Sequence, residues 1–206
     1  MKPAVAAFRM HSGWGALVVI SGSSASPELI ERRRITIIDP AVIGTKQPYH
    51  FAESLCLPEA ENHLRRCADA SGDLALKAIS ETQTALRTRG YDVVAAAMLL
   101  ASARPLPPLA NILRAHPLIH TAEGEFFRKA VQQACQRSGL ACTGFRESEL
   151  AQQAKSEFGG NTQRHLRKIE ELGRLAGPPW TQDYKRPALA ASILLTRTLT
   201  PHAHAR

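Results

Sequence analysis

Hydrophobic positions do not keep one period along this chain. Residues 4–21 hold Val5, Phe8 and Met10, then a nearly unbroken apolar run from Trp14 to Ile20, with Gly13 and Gly15 inside it. That pattern predicts an opening strand with a bend or a close backbone approach at the glycines. Gly22 to Pro27 is a Ser-rich turn. A second strand is predicted at 30–38, charged at its start, β-branched at its end and stopped by Asp39-Pro40. Residues 41–58 are irregular, with Gly44 and Pro48 as breakers and room for a short third strand at 49–51.

From Pro58 the period changes. Leu64, Cys67, Ala68, Leu74, Ala75, Ala78, Ile79 and Leu86 share a helical face, which predicts a long helix to about Arg89. Pro58 suits a first turn, Glu59 and Glu61 suit the positive end of the helix dipole, and Gly90 ends the helix. Tyr91 to Leu100 is apolar almost throughout, the pattern of a strand buried on both faces. The Pro-rich stretch 104–108 cannot extend a ladder and predicts a loop. A short helix is predicted at 109–114, and another from Ala122 to about Arg137 with Thr121 as its cap. A short strand follows at 140–145. Glu147 to Leu175 reads as basic and helical, broken at Gly159-Gly160. Pro187 lies near the start of a final helix running to about Leu195. This order of elements predicts an α/β domain, a mixed central sheet with helices packed on it. One domain is expected over 1–197, with a polar tail at 198–206.

Composition adds a bias. Apolar residues make up 44% of the 206, enough for a full core, and 26 Lys and Arg against 18 acids give a net charge of +8. Most of that charge is Arg, which favours nucleic acid or another polyanion as partner, unless it is simply a solvated basic surface. No apolar run reaches the length of a membrane span. The run Ala4–Phe8 is cut short by Arg9, too early for a signal-peptide core. Cys56, Cys67, Cys135 and Cys142 show no metal-binding spacing; Cys67 and Cys135 fall on apolar helical faces and read as small buried residues. A cytoplasmic protein without membrane contact is expected.

Chemistry-bearing residues fall at element ends. His11, Tyr49, His50, His120, Glu123 and Glu125 are the polar candidates for a site. His11, His50 and His120 together could bind a metal, or a His–Glu pair could do acid–base work. The structural alternative is that His120 and Thr121 cap a helix and His50 packs beneath a loop. Asp183 is either a site residue or the cap of the final helix. Arg164, Arg167, Lys168 and Arg174 lie on one side of a helix and form the candidate nucleic-acid-binding surface, opposite Leu166, Ile169 and Leu172. Arg32-Arg33-Arg34 could contact phosphates or protect a strand edge.

The order of elements, and above all the tail Asp183-Tyr184-Lys185-Arg186-Pro187-Ala188-Leu189-Ala190, resembles the ribonuclease H-like fold, and within it the RuvC-type Holliday-junction resolvases. The chain is also similar to a group of bacterial proteins with HSGWG, KQPYH, RPLPPL, HTAEGEFFR and GPPW motifs, here His11–Gly15, Lys46–His50, Arg104–Leu109, His120–Arg128 and Gly177–Trp180. That second resemblance brings no activity with it. The first implies a nuclease site of carboxylates on the opening strand, the buried strand and the final helix, holding two ions such as Mg2+. Residues 4–20 and 93–101 contain no acid; only Asp183 matches, and Arg186 stands where its partner acid belongs. No cofactor is assigned, and Mg2+ is disfavoured. The resemblance does imply that the opening strand lies beside the final helix, so that His11 and Asp183 meet at one sheet edge, joined by His120 or Glu123. The expected function is nucleic-acid or nucleotide binding without two-metal cleavage. The alternatives are a nuclease or other hydrolase of altered chemistry using His11, His50, Glu123 and Asp183, and a non-enzymatic adaptor.

Overall fold

The computed structural model describes residues 1–101 and 105–200. Arg104, at the start of the predicted proline loop, and the tail residues 201–206 lie outside them.

The run at 4–21 is not one strand but two. β1 (Lys2–His11) and β2 (Trp14–Gly22) pair antiparallel, turning at Ser12-Gly13. Gly13 has φ 78°, the left-handed region that a side chain disfavours, and a Cβ there would run into Ile38. β3 (Pro27–Thr36) pairs antiparallel with β2. β4 (Tyr91–Leu100) lies parallel to β1, and β5 (Cys142–Arg146) parallel to β4. The result is a mixed five-stranded sheet in the order β3-β2-β1-β4-β5.

Both faces of this sheet are covered, which is why its central strands read as apolar runs without alternation. On one face Ala4, Ala6, Phe8, Leu17, Val19 and Met98 meet α2 (Leu57–Thr88) and α4 (His116–Arg137). On the other, Val5, Ala7, Val18, Ile20, Ala97 and Leu99 meet α7 (Gln182–Leu199) and α5 (Leu150–Phe158). A register shift between Ala4 and Val5 on β1 leaves Val94 of β4 without a partner and exposed, although its neighbours are core. No helix among the described residues is long and apolar enough to cross a membrane. Cys67 and Cys135 are buried, and all four cysteines are free thiols.

Three local expectations give way. Residues 49–51 form no strand; they belong to the short helix α1 (Pro48–Ala52), with Pro48 in its first turn. A second short helix, α3, covers Leu109–Ile112. Thr121 does not cap α4, which begins at His116 with Pro117 in its first turn; its hydroxyl instead donates to the Pro117 carbonyl at 3.0 Å. Asp183 does not cap α7 either. Thr181 is the cap, and its hydroxyl accepts the Asp183 N–H at 3.3 Å. This helix runs past Leu195 to Leu199. Between α5 and α7 lie a 3-10 turn, Gly159–Asn161, and α6 (Thr162–Ala176).

Candidate functional site

Side chains on β1 alternate, so Arg9 and His11 point to the same face as Val5 and Ala7, toward α7. Beyond the apolar core, at the C-terminal end of β1, these two polar side chains meet the first turn of α7. His11 Nε2 lies 2.9 Å from Asp183 Oδ1. Arg9 makes a three-way connection: it donates to Glu147 from Nε at 3.0 Å and from Nη2 at 3.2 Å, and its Nη1 donates to Asp183 Oδ1. Arg186, one turn along α7, also donates to Glu147.

Glu147 directly follows β5, where its backbone N–H bonds to the Leu100 carbonyl at 3.0 Å. It therefore stands at the C-terminal end of the parallel strands, the edge at which α/β sheets gather ligand-binding groups. The row continues sideways. His11 stacks on Trp14 with ring centroids 4.3 Å apart, and the Arg34 guanidinium lies 4.1 Å over the Trp14 ring. One line of contact thus runs from Arg34 through Trp14, His11, Asp183, Arg9 and Glu147 to Arg186.

The electrostatics follow from the pairing. Burial alone would push the Glu147 carboxyl up, but the hydrogen bonds from Arg9 and Arg186 outweigh it and hold it below the ordinary carboxylate range. For Asp183 burial again acts upward and is outweighed by the bonds from His11 and Arg9, so it too is held low. Two guanidiniums face two carboxylates, and the charge closes on zero before His11 is counted. A pair of divalent ions needs several carboxylates with free oxygens. This cluster offers two, both already accepting from cations, and the donor set does not fit such a pair.

His50 and Glu123 are not part of this row. They lie on the opposite face, where α1 packs against α4. His50 Nδ1 is 3.3 Å from Glu123 Oε2, which also accepts the Tyr49 N–H at 3.0 Å. Burial raises the Glu123 carboxyl above its ordinary value, against the pull of those two bonds. His120 joins His50 rather than His11. The candidates His11, His50, Glu123 and Asp183 therefore form two pairs on two faces. Neither His120 nor Glu123 completes the first pair; Arg9, Glu147 and Arg186 do.

Glu147 was not legible as a site residue, because it opens a stretch that reads as a basic helix. The usable signal was its place one residue past a short parallel strand. Arg164, Arg167 and Arg174 are exposed on α6 and Lys168 is half-buried, while His165, Ile169 and Gly173 face inward. Arg174 pairs with Glu171 at 3.3 Å. The triplet at 32–34 is engaged by other parts of the chain, although Arg34 itself is exposed. Arg32 donates to the Gly177 and Pro179 carbonyls, Arg33 to the Ala78 carbonyl and Thr82, and Arg34 covers Trp14.

The chain is similar to solved RuvC structures from Thermus thermophilus. RuvC in complex with Holliday junction substrate aligns at a TM-score of 0.53 and 12% identity, over 95% of this chain and 94% of that one. A second RuvC structure from that organism aligns at 0.52 and 13%, covering 95% of each chain. No protein-family profile matches the sequence, and no curated protein does. The fold is ribonuclease H-like, with RuvC-type topology.

Proposed function

We propose that this protein binds nucleic acid on a ribonuclease H-like scaffold and does not cut it by the two-metal route. The observation that carries the reading is the row Asp183–Arg9–Glu147–Arg186. The resolvase resemblance implies carboxylates on the opening strand, the buried strand and the final helix. Here Arg9 occupies the opening strand, β4 ends in Leu99-Leu100, and Arg186 follows Asp183 by three residues. An ion approaching Glu147 or Asp183 would meet two guanidiniums and would have to displace them. Binding needs none of this. The exposed Arg side chains of α6 and the net charge of +8 suit a phosphate backbone. The likeness to a RuvC structure that holds a Holliday junction supports a branched or duplex DNA ligand. A cytoplasmic location and a single domain belong to the same proposal.

The test is fluorescence-anisotropy binding to four-way junction, duplex and single-stranded DNA across a salt series, beside a cleavage assay with Mg2+ and Mn2+. We expect salt-dependent binding and intact substrate. Metal-dependent cutting abolished by Asp183→Asn overturns the reading. No binding at low salt favours an adaptor instead.

One observation favours a second reading. His11 is held between the Trp14 ring and the Asp183 carboxylate, the arrangement of an oriented general base. A hydrolase of altered chemistry would use that pair without His50 or Glu123. Metal-independent hydrolysis lost in His11→Ala would establish it.

A further inference from the structure

Three imidazoles converge on the face opposite the charged row. His50 comes from α1; His116 and His120, four residues apart, come from one side of the first turns of α4. One nitrogen from each lies within 4.8 Å of the others. His116 Nε2 and His120 Nε2 are 3.0 Å apart. Two nitrogens bound tetrahedrally to one zinc-sized ion, each about 2.0–2.1 Å from it, sit roughly 3.3–3.4 Å from each other, a few tenths of an ångström wider than this pair. We propose that His50, His116 and His120 bind a single divalent transition-metal ion, Zn2+ or a close relative.

Glu123 supplies the independent support. It is 3% exposed, and its Oε1 has no hydrogen-bond partner among the described residues. A buried carboxylate without a compensating charge is costly. Its other oxygen faces His50 Nδ1 at 3.3 Å, which leaves His50 Nε2 for the ion. A carboxylate behind a ligating imidazole fixes its tautomer and ring direction and raises its basicity. An ion on His50 would place a fixed positive charge behind the imidazole that Glu123 already contacts.

The donor set selects the metal. Three neutral imidazoles suit Zn2+, Co2+, Ni2+ or Cu2+, whereas Mg2+ and Ca2+ take oxygen ligands. This ion is therefore unrelated to the pair that a resolvase site would hold. The fourth position is open: His116 and His120 are exposed, so water or an anionic ligand can reach it. The ion also clasps α1, only five residues long, to α4.

The inference stands independently of nucleic-acid binding, and the test needs no DNA. Untagged full-length protein carrying His202→Ala and His204→Ala, which removes the tail imidazoles, is titrated with Co2+ while the visible d–d bands of the bound ion are recorded. Zn2+ then competes. We expect one ion per chain, displaced by Zn2+ and not by Mg2+. A further His116→Ala/His120→Ala pair should weaken binding by about a hundredfold or more, with the circular dichroism unchanged. As the conservative variant of a positioning residue, Glu123→Gln should weaken it about 10–100-fold. No d–d band beyond that of aqueous Co2+ at millimolar Co2+, or binding equally tight in the His116→Ala/His120→Ala variant, overturns the proposal.

Discussion

Arg9 shows how one side chain can decide what a sheet edge does. It rises from the middle of the sheet between two acids, its side chain 21% exposed, and answers both at once. Removing the Glu147 charge would leave Arg9 with Asp183 as its carboxylate partner and Arg186 with none among the described residues. Glu147→Gln should therefore destabilise the fold by about 1–3 kcal/mol, the cost of stranding a part-buried charged donor, read as a lower urea midpoint. Arg186→Ala should cost less, because Arg186 is the more exposed partner and the Arg9–Glu147 pair survives. The pH dependence has a definite sign. Both acids have folded pKa values below their ordinary ones. Their stabilisation is thus complete above about pH 5, where both acids are ionised in the unfolded chain as well, and is lost as pH falls from there through the depressed values. Acid unfolding followed by circular dichroism should show that loss in the wild type and a flatter profile in a Glu147→Gln/Asp183→Asn double variant.

Elements were legible where burial was one-sided and obscured where it was not. The long helix α2 shows a clean stripe, Ala60, Leu64, Cys67, Ala75, Ile79 and Leu86, and both its ends were readable. β1 and β2 are buried on both faces, so no alternation marks where one stops; only the turn at Ser12-Gly13 does, and in the sequence Gly13 and Gly15 signal a bend within one strand as readily as a hairpin. Tyr49–Phe51 carries strand-forming aromatics, yet tertiary packing against α2 and α4 makes it helical. The start of α4 was hidden because Thr121 matches a cap. His116 becomes visible as a partner of His120 only once the helix is known to begin at His116, since the four-residue spacing has meaning only on a helix. The α6–α7 connection gives a prediction at this scale. Gly173 lies beneath the Trp180 indole, and a Cβ there would overlap that ring. Trp180 in turn stacks with Tyr184 at 9° between ring planes, beneath Arg32. On helix propensity alone Gly173→Ala should stabilise α6 by about 1 kcal/mol. Overpacking against a ring held on its other side costs about 1–3 kcal/mol and should win. Gly173→Ala should lower Tm, whereas Gly160→Ala, with open space around its Cα, should not lower it by a comparable amount.

Across the whole molecule the question is which positive charges are free to meet a polyanion. Net charge alone overstates them. Arg9 and Arg186 are committed to Glu147 and Asp183, Arg32 and Arg33 to backbone carbonyls, and Arg197 to Glu157. On α6, Arg164 and Arg167 are exposed and make no ion pair among the described residues, whereas Arg174 shares its charge with Glu171. If DNA binds along this helix, the charges should not count equally. Each phosphate contact releases about 0.9 counterions, and its loss flattens the log-affinity against log-salt slope by that amount. Arg164→Ala and Arg167→Ala should each lower the slope by roughly one unit and weaken binding alike on junction and duplex DNA. Arg174→Ala should lower it by less. Arg9→Gln, which perturbs only the internal row, should leave the slope unchanged even if it lowers Tm. The ordering separates a specific surface from diffuse attraction, because a net charge acting at a distance would make all four substitutions equivalent.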